Sequence, residues 1–365
     1  MSVRESNTGN GINSARASKK ITGFRTDDLN VVLGVTGDDD AAKMIATITL
    51  PQMVKVMKNL AMKKRRSTPL LRSLAYNISS REQSLDIKQC ADVLYAMASL
   101  NFPDPVLIAK LSGDIQDSLK QPIEKSAVIG SILTSFSFLK YRDPSLIDAL
   151  TEWVVKNHEN CRSQDVAATF MTLATLNYVP QQFEEPLKNK LASSLTYLDF
   201  KNSQEYLGYV WSLMVLNFPL QELFNSVLNK EFVDKLISES ADKELSAATK
   251  LRLLNINAGV KMFLPNYSGA MLNRDKHKDI YDVPLTHNRE KLEIVNGMVD
   301  AIKSVVPEKS LKLNQDTNMG FVIGEWTRSC KLLVRFVTRF ILTDAEFYID
   351  DKGKIVEKES KDGKK

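Results

Sequence analysis

The sequence predicts an all-α fold, an α-solenoid of helical-hairpin repeats of about 37–40 residues with a less regular C-terminal α(+β) region. A motif of leucine, asparagine and an aromatic residue recurs at 100–102, 176–178 and 216–218. With weaker copies included, the repeat leucines are separated by 40, 39, 37, 40 and 38 residues, at Leu60, Leu100, Leu139, Leu176, Leu216 and Leu254. A nearly constant period of this length is typical of stacked helix pairs.

The first helix of each repeat, helix A, is predicted from apolar positions that precede the repeat leucine. In the second repeat these are Met97, Leu94, Val93 and Cys90, the spacing of one buried helical face. The same columns are largely apolar in the other repeats: Met57, Val54, Met53; Phe136, Leu133, Ile132, Ile129; Leu173, Phe170, Thr169, Val166; Leu213, Val210, Tyr209, Tyr206. Asp86 and Gln89 have the spacing of a capping box at the start of this helix.

Helix A is expected to end at the residue after the leucine, because asparagine tolerates the left-handed conformation that terminates helices. The second helix, helix B, is expected to begin at a cap residue followed by proline, as at Thr68, Asp104 and Asp143. Helix B is therefore predicted over 106–119, 145–157, 187–198 and 222–237.

The composition is that of an ordinary folded protein, and its net charge of +5 does not by itself indicate nucleic-acid binding. The three cysteines lack metal-binding spacing and suit a reducing compartment. No apolar run approaches the roughly 18 residues of a membrane span, so no membrane insertion is expected.

Two blocks in the C-terminal third carry a resemblance to a known family. The leucine-rich segment 250–257 leads into Pro265, Tyr267 and Gly269, which resembles the first conserved block of the FAST kinase domain-containing family. Residues 288–354 resemble its second block, and the whole resemblance covers about 50–354. It implies a mitochondrial matrix protein that binds single-stranded mitochondrial RNA, regulates mRNA stability or processing, and works with other RNA-processing proteins; no DNA partner is expected.

The repeats, the local composition and the resemblance together give the expected domain organisation. We expect a polar, largely disordered segment at 1–40, the helical-repeat solenoid at 41–240, a FAST-type region at 241–355 and a Lys-rich tail at 356–365. The first 23 residues hold four cations against one acid, so they lean towards a mitochondrial transit peptide, with a plain disordered tail as the alternative. Members of the family end in a small RAP domain, and the sequence reaches Lys365 before one could form. A strong amphipathic presequence before the repeats is also lacking, so truncation at either end is expected.

Residues 324–343 interrupt this pattern between Ile323 and Asp344. Our hypothesis is that they are a translated intron, because their codons can supply donor-like and acceptor-like splice sites and twenty codons come out in frame. The alternative is a basic, apolar helix or strand.

The family name invites a kinase interpretation, which the residues do not support. His158, His277 and His287 are followed by Glu159, Lys278 and Asn288, so none opens a catalytic H-R-D loop. A glycine-rich phosphate loop is likewise missing from the sequence. We therefore predict no enzyme activity, no metal site and no cofactor.

Two kinds of residue are predicted to contact RNA. Phosphates require cations, which are densest in the first repeat and continue along the chain as Lys55, Lys58, Lys63, Lys64, Arg65, Arg66, Arg72, Lys88, Lys140, Arg142, Lys250 and Arg252. For the cluster at 63–66, the alternative is an ordinary solvated loop.

Bases require side chains that stack or form hydrogen bonds, and two columns of helix A share a face outside the buried stripe. One column stands eight residues before each leucine: Gln52, Asp92, Ser131, Ala168, Gly208 and Ser246. The other stands five before: Lys55, Tyr95, Thr134, Met171, Trp211 and Thr249. Tyr95 and Trp211 are candidates for base stacking, and packing between repeats is the alternative. At the level of the whole chain, the alternative to RNA binding is a non-enzymatic protein–protein scaffold of HEAT or armadillo type.

Overall fold

A computed structural model describes residues 45–218, 220–240 and 243–282, the pairs 296–297, 300–301 and 303–304, and four short strands after them. The first ten helices are α1 (Leu50–Met62), α2 (Thr68–Ser79), α3 (Ile87–Ser99), α4 (Pro105–Ser118), α5 (Ser126–Leu139), α6 (Pro144–Lys156), α7 (Ser163–Leu176), α8 (Ser203–Val215), α9 (Gln221–Leu228) and α10 (Lys230–Glu239). They are followed by α11 (Ala247–Phe263) and α12 (Lys278–Tyr281). The helices stack as predicted, so the all-α helical-repeat fold is confirmed.

The A helices form one continuous layer. Helices α1, α3, α5, α7, α8 and α11 each pack against the next member of this series, while α2, α4 and α6 form a second row behind them. The predicted apolar columns of all five repeats lie in the core, where each residue is at most 4% exposed. The period therefore reflects a repeated packing unit.

The Leu–Asn–aromatic motif encodes the end of helix A. Asn101, Asn177 and Asn217 have φ values of 47°, 47° and 57°, so each adopts the left-handed conformation. The next residue then donates its backbone N–H to the carbonyl five residues earlier, as from Phe102 to Met97 at 2.9 Å. Phe102 is 9% exposed and Phe218 is 1% exposed, because this turn folds the aromatic ring back onto the core.

The predicted helix starts are also present, with one shift. The carboxylates of Asp86, Asp104 and Asp143 accept hydrogen bonds from the backbone N–H groups of the third residues that follow them. The N-cap of α2 is Ser67, and Thr68 is the first helical residue.

Two predictions for helix B are wrong. Residues 187–198 do not form one helix: a 3₁₀ turn Gln181–Phe183, a helical turn Glu184–Pro186 and a π-helix Leu187–Leu191 are followed by the 3₁₀ turn Tyr197–Asp199. Residues 222–237 form two helices, since Asn229 leaves the helical conformation and its side chain caps α10 by accepting from the Phe232 N–H.

The sixth copy of the motif, at Leu254, also does not end a helix. Helix α11 continues to Phe263, and the chain then folds back onto α9 and α11. Asn257 on α11 accepts from the Leu272 N–H at 2.8 Å, and Asn225 on α9 accepts from the Ala270 N–H at 2.8 Å. The buried Asn257 and the exposed Asn225 therefore fix the segment that contains the Pro265–Gly269 turn.

The C-terminal strands pair as two antiparallel hairpins. Strand β1 (Leu311–Asp316) pairs with β2 (Val322–Thr327), and β3 (Phe347–Ile349) pairs with β4 (Ile355–Glu357). Residues 324–327 thus belong to a strand, whereas 328–346 lie outside the described residues, and the intron hypothesis stays a hypothesis. The predicted N-terminal segment 1–40 and the tail 356–365 lie outside them too, apart from 356 and 357.

Candidate nucleic-acid interface

The two columns predicted to face bases lie side by side on the A-helix layer. We call the surface formed by these columns the A-helix face. Around α3, α5 and α7 it contains a groove of about 570 Å³, lined by Tyr95, Ser131, Thr134, Phe138, Arg162 and Ala168 among others. Because three consecutive A helices contribute to this groove, a ligand lying in it would bridge three repeats.

Two exposed aromatic side chains line this groove. Tyr95 is 49% exposed and Phe138 is 71% exposed, so their rings are accessible to a flat ligand. Phe138 was missed by the sequence analysis, although the signal was present. It stands four residues after Thr134, one helical turn further along the same column.

The sequence analysis also missed Arg162, whose guanidinium places a positive charge at the groove. Its Nε and Nη2 groups donate to Asp165 at 3.0 and 2.7 Å, and the hydroxyl of Ser126 on α5 donates to the same carboxylate at 2.7 Å. Burial alone would raise the pKa of Asp165, but the hydrogen bonds from Arg162 and Ser126 lower it below the ordinary value. The carboxylate thereby joins α5 to α7 and fixes the guanidinium at the edge of the groove.

The cationic cluster 63–66 has mixed roles. Lys63 and Lys64 are exposed in the turn that ends α1, with Lys64 in the left-handed position. Arg66 instead donates from Nε to the Leu100 carbonyl at 2.9 Å and from Nη2 to the Asn101 carbonyl at 3.4 Å. Arg66 therefore caps the C-terminus of α3, and Arg65 is only half-exposed.

The remaining predicted cations do not share one surface. Lys55 is exposed on α1, Lys88 is exposed in the first turn of α3, and Arg72 is exposed on α2, in the second row of helices. The ammonium of Lys58 lies 2.9 Å from the Asp92 carboxylate on α3. The negative charge of Asp92, a member of the column predicted to face bases, is thus partly neutralised.

Lys140 and Arg142 lie in the turn after α5. Both are exposed, and the Arg142 guanidinium lies 4.9 Å from the centroid of the Tyr178 ring in the next repeat. Arg142 therefore also packs between repeats.

Trp211 and Lys250 are not available at the surface. Trp211 is 7% exposed between α8 and α11, and its indole Nε1–H donates to the Asn255 side-chain oxygen at 3.1 Å. Lys250 is 7% exposed, with its ammonium 3.4 Å from a Glu244 carboxylate oxygen. The stacking prediction for Trp211 and the phosphate prediction for Lys250 are therefore corrected to packing roles.

Arg252 lies close to Trp211 but differs in exposure. Its guanidinium carbon lies 5.8 Å from the Trp211 ring centroid, and the side chain is half-buried on the A-helix face. Burial lowers the pKa of this guanidinium below its ordinary value.

Two kinds of chemical site can be checked in the described residues, namely metal sites and activated cysteines. No three His, Cys, Asp or Glu side chains there come together as a metal site. Burial raises the pKa of the Cys161 thiol to about 11, with Asp165 adding to the shift, so this cysteine is not an activated nucleophile. None of the helices in the described part of the chain has the length and apolar character needed to cross a bilayer.

Comparison with protein families gives two adjacent matches. Residues 166–237 match the family model described as FAST kinase-like protein, subdomain 1, and residues 250–357 match FAST kinase-like protein, subdomain 2. The first match begins in α7 and ends in α10, and the second begins in α11. The two blocks that carried the resemblance in the sequence both fall within the second match.

Individual relatives agree with these matches. The chain is 27% identical to human FAST kinase domain-containing protein 4 over 238 residues, which are 64% of this chain and 37% of the relative. Against the rat protein of the same name, identity is 23% over 290 residues, 78% of this chain and 44% of the relative. Human FAST kinase domain-containing protein 2, mitochondrial, is 30% identical over 127 residues, 34% of this chain and 17% of that protein.

The chain thus spans less than half the length of the curated relatives it matches. The matched subdomains nevertheless follow the helices that the structure shows, from α7 through α11 and onward. The chain belongs to the FAST kinase domain-containing family.

Proposed function

We propose that this chain is a non-enzymatic, helical-repeat RNA-binding protein that regulates the stability or processing of mitochondrial mRNA. The observation that carries the proposal is the groove on the A-helix face, where Tyr95 and Phe138 present exposed rings beside Arg162. Stacking on aromatic rings combined with nearby cations is how proteins hold single-stranded nucleic acid. The proposal requires neither a metal nor a cofactor.

Single-stranded RNA is favoured over a duplex because bases in a duplex are already stacked on one another. An unpaired strand can place successive bases on rings from successive A helices, and the groove spans three of these helices. The mitochondrial assignment is supported by family membership and by a relative whose name includes the word mitochondrial. The matrix is part of the proposal. Other RNA-processing proteins are the expected partners.

A protein–protein scaffold is the second candidate, and a specific observation favours it. Two cations on or beside the A-helix face, Lys58 and Arg162, are paired with carboxylates. These pairs reduce the positive potential available to a polyanion, whereas an apolar groove with balanced charges also suits a peptide segment.

The test compares binding of labelled single-stranded RNA by the wild-type chain and by the double variant Tyr95→Ala, Phe138→Ala. Each lost stacking contact is expected to cost about 1–3 kcal/mol, which is roughly 5- to 150-fold in affinity. Tyr76→Ala is the matched control, because Tyr76 is 73% exposed on α2 in the other row of helices.

Fluorescence anisotropy across a range of salt concentrations measures these affinities. RNA binding by the wild-type chain should weaken as salt rises, since counterions are released from phosphates on binding. Absence of measurable affinity at low salt would reject the RNA function and favour the scaffold. An equal loss in Tyr76→Ala would show that the groove is not the site.

A further inference from the structure

Arg252 differs from the other enclosed cations in having no acidic partner among the described residues. Lys250 faces Glu244, and Lys110 faces Asp114. The guanidinium of Arg252 contacts the Trp211 ring at 5.8 Å, and within the described part of the chain no carboxylate pairs with it. Removing a cation from water is costly unless an anion compensates, so the site is electrostatically incomplete.

Gly208 lies beside the guanidinium of Arg252. A Cβ atom added to Gly208 would lie 3.4 Å from Arg252 Nη1 and 3.6 Å from the Met171 sulfur. Glycine within a helix costs about 0.5–1 kcal/mol relative to alanine. Met171 on α7, Gly208 on α8 and Arg252 on α11 thus border a slot. Because Gly208 has no side chain, the slot is open beside the guanidinium.

The slot lies on the same face as the groove. Gly208 belongs to the column of Asp92 and Ser131, and Met171 belongs to the column of Tyr95 and Thr134. A strand that leaves the groove along the A-helix layer therefore reaches Arg252 after crossing α7 and α8.

We propose that Arg252 is the phosphate anchor of the A-helix face, binding one backbone phosphate of single-stranded RNA in the slot beside Gly208. The proposal rests on the proposed RNA function and deepens it by placing a specific electrostatic contact. A guanidinium presents parallel N–H donors that match two phosphate oxygens, and the neighbouring indole ring restricts its plane. Burial lowers the pKa of Arg252, but arginine stays protonated near neutral pH, so the anchor keeps its charge.

The direct test is Arg252→Gln, measured by anisotropy with a labelled, unstructured single-stranded RNA. Loss of a charge-assisted contact should weaken binding by roughly 10- to 100-fold. The slope of log affinity against log salt should become shallower by about 0.7, the value for one phosphate contact on a single strand. Arg252→Lys should bind with intermediate affinity, because it keeps the charge and loses the planar donor pair.

Stability gives a readout that separates an anchor from a structural cation. Removing an uncompensated, half-buried charge should leave the unfolding temperature unchanged or raise it. Gly208→Ala is the second variant: it retains Arg252, narrows the slot and favours the helix, so it should weaken RNA binding without lowering the unfolding temperature.

Lys261→Gln is the matched control, because it removes a cation from the same helix. Lys261 is exposed and lies nine residues after Arg252, two and a half helical turns away on the opposite side of α11. Its removal should change affinity less than twofold.

The outcomes distinguish the two proposals. A wild-type chain without RNA affinity at low salt rejects the RNA function, and the anchor with it. A wild-type chain that binds RNA, together with an Arg252→Gln variant of equal affinity and salt slope, overturns the anchor alone. A lower unfolding temperature with unchanged affinity also overturns it, since the protein itself would then supply the anion.

Discussion

The first three helix pairs, α1–α6, and the helices from α7 onward use the same stacking with different chemistry at their interfaces. In α1 and α3 every buried residue is apolar, and α5 adds only two serines. Helix α11 instead buries Thr249, Lys250, Asn255 and Asn257 together with its apolar residues. Among the described residues before α7, the buried polar side chains are serines, one threonine and one aspartate. The buried lysine and asparagines lie in the part of the chain that the family models match.

The second helix of each pair shows the same difference. Helices α2, α4 and α6 are continuous, whereas the corresponding positions after α7 and α8 are broken into short turns or into two helices. Mainly apolar packing is thus enough to propagate a regular stack. Buried hydrogen bonds and close backbone approaches then give the C-terminal helices a more specific arrangement.

The largest expected change in stability comes from the close contact between α11 and α8 in the C-terminal region. Gly259 on α11 faces Met214 on α8 so tightly that an added Cβ would overlap the Met214 sulfur. Gly259→Val should lower the free energy of unfolding by about 1–3 kcal/mol through overpacking. Chemical denaturation measures the change.

The matched control for this variant lies in the regular region. Gly113 on α4 has no atom within 4 Å of an added Cβ, so Gly113→Ala should raise stability by about 0.5–1 kcal/mol through helix propensity. Similar losses in both variants would contradict the difference between the two regions.

A smaller effect on stability should distinguish the structural and the exposed members of the cationic cluster at 63–66. Arg66→Gln removes the hydrogen bonds to the α3 carbonyls and should cost about 0.5–1.5 kcal/mol of stability. Lys63→Gln should leave stability within about 0.5 kcal/mol, because its side chain is exposed. If the cluster contacts RNA, Lys63→Gln should instead flatten the salt dependence of binding.

Thermal unfolding and RNA titration measured on the same two variants separate these roles. A loss of stability in Lys63→Gln comparable to that in Arg66→Gln would show that the cluster acts as one structural unit.

The smallest expected effect concerns Asp165, which joins the two regions. Its folded-state pKa is lowered, so its stabilising contribution is present above the ordinary carboxyl pKa and is lost as pH falls through the folded value. Asp165→Asn should therefore be less stable than wild type at neutral pH, with the difference shrinking below about pH 4. Unfolding temperatures measured between neutral and acidic pH check this, and a difference that grows in acid would contradict it.

The sequence was most informative where structure depends on nearby residues. The apolar columns, the Asp104 and Asp143 caps and the left-handed asparagines all act within one or two helical turns. Helix B at 187–198 could not be predicted in this way. Its break depends on how the chain after Pro186 packs against neighbouring helices, and propensity is a weak guide to that.

The site shows the same limit. Tyr95 was found because its column is visible in the repeat, and Phe138 could have been found by extending that column one turn. The burial of Trp211 depends on α11, which begins more than thirty residues later and runs past the expected helix end at Asn255. Pairing between distant helices therefore decides which candidate residues remain exposed.

In the turns that end the A helices, low backbone strain and positive charge are opposed. Three of them place asparagine in the left-handed position, while the turns after α1 and α5 place Lys64 and Lys140 there, with φ values of 51° and 52°. Lysine resists this conformation more than asparagine, at a cost of about 1 kcal/mol. Exchanging both for asparagine would relax the polypeptide and remove two positive charges, so the most stable form of these turns is also the less cationic one.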